Sequence, residues 1–147
     1  MTVVVGVDGS AGSQAAIRLA AQEARYRTVP LLAVMAYSEE RTLGAPATRP
    51  VSTLRTAADD HAATEAMLQD LVHDALGEQL DGVTCRTVTG PPDRALIIVA
   101  HEAEAQLIVL AARGDSTVAR MLGAVSQHVL RNAPCPVLVV PAPGAAR

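Results

Sequence analysis

QLIVLAARGDSTVARMLGAVSQHVLRNAPCPVLVVPA, residues Gln106 to Ala142, follows the pattern strand, glycine-containing loop, helix, strand. Leu107-Ile108-Val109-Leu110 is a short run with no polar residue, as expected of a strand buried on both faces. Arg113-Gly114-Asp115-Ser116-Thr117 interrupts it. Val125, Val129 and Leu130 then recur at helical spacing. Asn132, Pro134 and Pro136 end that helix, because proline lacks an amide N–H and restrains the residue before it. Val137-Leu138-Val139-Val140 is predicted as a second buried strand. A buried strand that hands a glycine loop to a helix start is where α/β proteins hold phosphate.

The opposite end of the chain has a matching form. Residues 2–8 are predicted as a strand, followed by Gly9-Ser10-Ala11-Gly12-Ser13 and an alanine-rich helix that starts at Ser10 or Ser13 and runs to about Arg25. Ala16, Ile17, Ala20 and Ala24 form its apolar stripe. Asp8 therefore sits at the carboxyl end of the first strand, the edge that faces the ligand crevice of an open parallel sheet. Between the two ends, strands are predicted at Leu31 to Tyr37 and Val83 to Val88. Helices are predicted from about Thr56 to Leu76 and from Asp93 to about Glu104, the latter entered through Gly90-Pro91-Pro92. Residues 38–55, with Gly44, Pro46 and Pro50, are predicted as a flexible loop near the site. Strand and helix alternate throughout, so right-handed crossovers predict a parallel sheet with helices on both faces.

Composition narrows the function. The 147 residues suit one domain, and half of them are apolar. Phe and Trp are absent, which removes the aromatic platforms that single-strand nucleic-acid readers use. The net charge of -3 argues against nucleic acid or an anionic membrane as partner. All 12 basic residues are arginine. Without lysine there is no Walker A loop and no Schiff-base enzyme. Cys85 and Cys135 lie too far apart for a CxxC pair and are expected to be buried and inert. No signal peptide and no 18-residue apolar run is visible, so the expected location is the cytoplasm.

The stretch Val5-Gly6-Val7-Asp8-Gly9-Ser10 with Ser13 and Ala16, the pair Gly90-Pro91, and Gly123 to Val140 together resemble the universal stress protein family. SQHVLRNAPCPVLVVP is very similar to that family's closing signature. The resemblance implies a doubly wound, Rossmann-like α/β fold of the adenine-nucleotide α-hydrolase type, with five parallel strands in the order 3-2-1-4-5. It implies one such domain over residues 1–142 with a disordered tail at 143–147. It also implies a stress-response sensor or adaptor, usually a homodimer joined through the last strand, here Val137, Leu138, Val139 and Val140. The implied ligand is ATP with magnesium, held at Asp8, Val34, Ala111, Arg113, Gly114, Gly123, Ala124, Val125 and Ser126.

This chain departs from the family's glycine loop, G-x2-G-x9-G-[ST]. Gly114 and Gly123 match its second and third glycines, but Ala111 stands at the first and Ala124 at the hydroxyl position. Eight residues separate Gly114 from Gly123, one fewer than the pattern. Arg113 and Ser126 are the residues able to compensate, Arg113 through a bidentate phosphate contact. Three readings follow: a weak ATP-binding crevice, a slow ATPase or nucleotide-handling enzyme of the same fold, and a dimeric interaction module that has lost the nucleotide. No nucleophile paired with a general base is visible, which argues against the enzyme reading. His61 and Glu65, and Asp70, His73 and Asp74, have metal-ligand spacing on one helix face. The same spacing describes a solvated charged face, which is the commoner origin. His101 and His128 fall on the last two helices.

Overall fold

The computed structural model describes residues 1–37, 57–112 and 123–141, with side chains in the second helix from His61 onward. The predicted loop at 38–55, the candidate residues Arg113 and Gly114, and the tail at 143–147 lie outside the described residues. The elements in chain order are β1 (Thr2–Gly6), α1 (Ser13–Arg27), β2 (Leu31–Tyr37), α2 (Ala57–Leu76), β3 (Val83–Thr89), α3 (Pro92–Glu102), β4 (Ala105–Ala111), α4 (Ala124–Asn132) and β5 (Val137–Val140).

All pairings are parallel, and the five strands lie in the order β3-β2-β1-β4-β5. Alternation along each strand divides the core. Val3, Val5, Ala33 and Val109 face α1 and α2, where Ala16, Ile17, Ala20 and Leu68 meet them. Val4, Val34, Ile108 and Leu110 face α3 and α4, where Leu96, Val99, Ala100 and Val129 meet them. Because β1 and β4 are covered on both sides, their central residues carry no polar group. The alanine stripe of α1 lets that helix lie close to the sheet.

Several boundaries differ from the sequence reading. The first strand ends at Gly6 rather than at residue 8: Val7 N–H still donates to Val34 O at 2.8 Å, but the chain turns at Gly9, whose φ is +81°. The first helix starts at Ser13, one of its two predicted starts, but continues past Arg25 to Arg27, where Thr28 in the left-handed region ends it. The third helix starts at Pro92, whose missing N–H costs nothing in the first turn. The predicted burial of β5 is a correction: all four of its residues are only half-buried. That strand has a neighbour on one side only, β4, and its other edge is open among the described residues.

The chain proceeds from β1 outward to β3, then crosses back to β4 beside β1. This reversal opens a crevice above the carboxyl ends of β1 and β4, the usual ligand position in such sheets.

Candidate functional site

The crevice encloses about 740 Å³ when its open mouth is included. Its floor and walls come from three places. The β1 end supplies Gly6, Val7 and Asp8; the ends of β2 and β4 supply Val34, Ala36, Leu110 and Ala111; the helix side supplies Pro92, Leu96 and Gly123 to Ser126. Every described residue among the sequence candidates, namely Asp8, Val34, Ala111, Gly123, Ala124, Val125 and Ser126, lines it.

Asp8 enters as the chain leaves β1. Its Oδ1 accepts from Ser10 N–H at 2.9 Å and from the Ser13 hydroxyl at 3.0 Å. The carboxylate thus builds the turn into α1, an Asx-type arrangement, and sits ahead of a helix N-terminus that favours negative charge. Ser10 Oγ is enclosed and meets no hydrogen-bond partner among the described residues.

The apolar slot beside Asp8 depends on a glycine. A Cβ at Gly6 would stand 2.8 Å from Leu110 Cδ2 and 2.9 Å from Leu96 Cδ1. Gly6→Ala should therefore push these leucine tips into the crevice, with a stability loss of about 1–3 kcal/mol from overpacking, read by urea denaturation. The β1–β2 ladder stops at Gly6 and Val34, while β2 continues to Tyr37, so Ala36 borders the crevice rather than a strand on that side.

The start of α4 also lines the crevice. Gly123 occupies the N-cap in an extended conformation, and no side chain caps the helix. Among the described residues a Cβ there would meet nothing within 4 Å, and the first-turn amides of a helix have no partner within the helix itself. Ala124 brings no hydroxyl, whereas Ser126, 6% exposed, brings one into the crevice wall. His128 Nδ1 lies 3.7 Å from Asp93 Oδ2 and links α4 to the first turn of α3.

The remaining candidates lie elsewhere. His61 Nε2 is 3.8 Å from Glu65, and its Nδ1 meets Tyr37 OH at 3.2 Å and Thr87 Oγ1 at 3.1 Å. Among the described residues no group of three or more His, Cys, Asp or Glu is placed to hold a metal ion. Cys85 and Cys135 are half-buried rather than buried. Desolvation raises both thiols above the ordinary 9.0, with Glu65 adding to the rise at Cys85, so thiolate chemistry is suppressed. No helix among the described residues is long and apolar enough to cross a membrane.

Sequence reasoning missed Gly6, Val7, Ala36, Pro92, Leu96 and Leu110 as lining residues. Only Gly6 carried a visible signal, a glycine inside an apolar strand.

The family model for the universal stress protein family matches residues 1–141. A universal stress protein of Mycobacterium bovis is 32% identical over 140 residues, which cover 94% of this chain and 47% of that protein. The chain thus spans about half the length of the first curated relatives it matches. A universal stress protein of Mycobacterium tuberculosis of similar length is 34% identical over 144 residues, covering 95% of this chain and 94% of that one. Among solved structures, a universal stress protein in complex with cAMP matches with a TM-score of 0.67 and 31% identity, covering 97% of both chains.

Proposed function

The chain belongs to the universal stress protein family, and from that membership we propose that its crevice binds an adenine nucleotide and that the protein acts as a stress-response sensor or adaptor. The observation that carries this reading is the slot itself. An apolar opening lies at the switch point, lined by the Asp8 carboxylate and by the N-terminus of α4. Small aliphatic walls suit a planar base, and free helix amides suit a phosphate. The likeness to a relative that holds cAMP supports an adenine ligand. Gly123, Ser126 and the first amides of α4 are the described groups suited to the phosphate, with Arg113 and Gly114 completing the set in sequence.

The ligand class is cAMP or ATP with magnesium. The described walls offer one carboxylate, Asp8, and it is engaged in its own turn. We therefore assign binding without a reaction; slow ATP hydrolysis is the alternative. The remaining elements of the reading are a single domain through residue 142, a cytoplasmic location, and a homodimer joined through β5.

Calorimetric titration with cAMP and with ATP and magnesium tests the reading. Binding of at least one nucleotide with a Kd in the micromolar range is expected, and at about a hundredfold excess over Kd it should stabilise the fold by about 2.7 kcal/mol. No heat and no thermal shift with either nucleotide would remove the nucleotide from the proposal and leave the interaction module.

A further inference from the structure

We infer that Ser13 is a positioning residue that holds the Asp8 carboxylate in a single orientation at the crevice; this rests on the nucleotide reading above. Ser13 is fully buried, and Ser126 is the only other buried polar residue among the described ones. Its hydroxyl donates to Asp8 Oδ1 at 3.0 Å and accepts from Asp8 N–H at 3.4 Å. One hydroxyl thus grips both the main chain and the carboxylate of the same residue. Rotation of Asp8 about its Cα–Cβ bond breaks the grip. Ser10 N–H holds the same oxygen from the other side at 2.9 Å.

The helix itself does not explain this serine. Ser13 is the first residue of α1, but the N-cap is Gly12 and no side chain caps that end. Alanine is the better helix former at a buried position facing the sheet, as Ala16 and Ala20 on the same stripe illustrate. A hydroxyl without exposure requires partners, and both partners of Ser13 belong to Asp8. A carboxylate fixed before the ligand arrives loses less freedom on binding, which is the physical basis of preorganisation.

A double-mutant cycle on the full chain, titrated with cAMP and with ATP and magnesium, tests the assignment. Ser13→Ala should weaken nucleotide binding about fivefold to tenfold, equivalent to one lost hydrogen bond's worth of orientation. In an Asp8→Ala background the same change should have an effect of roughly twofold or less, because nothing remains to be oriented. An equal loss in both backgrounds would overturn the proposal, since Ser13 would then act on the fold alone. A second readout needs no ligand. NMR couplings to the Asp8 Cβ protons should report one χ1 rotamer in the wild type and averaging in Ser13→Ala. A single unchanged rotamer in the variant also overturns it. Absence of nucleotide binding in the wild type, with rotamer averaging still seen in Ser13→Ala, would instead count against the nucleotide reading alone. Where Ser13→Ala folds poorly, Ser13→Cys offers a slightly larger side chain with a weaker donor and should give an intermediate loss.

Discussion

Replacing Asp8 by alanine should lower adenine-nucleotide affinity by about tenfold or more, because the crevice then loses its only described carboxylate. The substitution has a second, smaller consequence. Oδ1 accepts from Ser10 N–H and the Ser13 hydroxyl, so Asp8→Ala leaves two donors of the turn to find other partners. A stability loss of about 1–2 kcal/mol is expected from that alone. The ratio of the two effects is diagnostic, so affinity and urea stability belong on the same variant. Asp8→Asn separates them further. The amide oxygen keeps the turn, so stability should fall less than in the alanine variant, while the charge is gone and affinity should still drop. Unchanged affinity in both variants, with only stability altered, would reduce Asp8 to a turn residue and remove it from the ligand site.

A change of assembly is the other large effect. Val139→Lys should convert the homodimer proposed above into a monomer at about 10 μM, an ordinary range for such association. β5 is a four-residue strand without a charge, half-buried within one chain and, among the described residues, paired on one side only. An open apolar edge is a template for another strand. Leu138 and Val140 pack toward the α1 and α2 side, and Val137 toward the other, so the edge joins both halves of the core. Its continuation across a two-fold axis would shield all of it. A lysine at the centre of the edge places an unpaired charge where the partner strand would lie. Sedimentation of the wild type as a monomer at tens of micromolar (roughly the concentration above) would end this proposal. Circular dichroism of the variant separates dissociation from unfolding.

The short runs at Leu107 to Leu110 and Val137 to Val140, the alanine stripe of α1 and the Gly-Pro-Pro entry to α3 are local signals, and local geometry decides them. A strand's alternation and a helix's stripe are visible within ten residues or so. For that reason β2 and β5 have the predicted bounds and the other elements differ at their ends by a few residues. The position of Asp8 at a strand end was equally legible, because a buried strand must stop where polar and glycine residues begin.

The sequence by itself determined the alternation of strands and helices, and its closing motif determined the family. Only the tertiary structure decided what the crevice is made of. Leu96 faces Gly6 from 90 residues away, and Ala36 borders the crevice because the β1–β2 ladder stops two residues before it. Neither fact has a local signature: which face of α3 meets which strand end follows from sheet order and packing across the whole chain. The half-burial of β5 has the same origin. Its four residues are as apolar as Leu107 to Leu110 of β4, and among the described residues it has a neighbour on one side only, which makes it an edge rather than a core strand. Hydrophobicity selects the residues that can be buried, whereas the order of strands in space selects those that are.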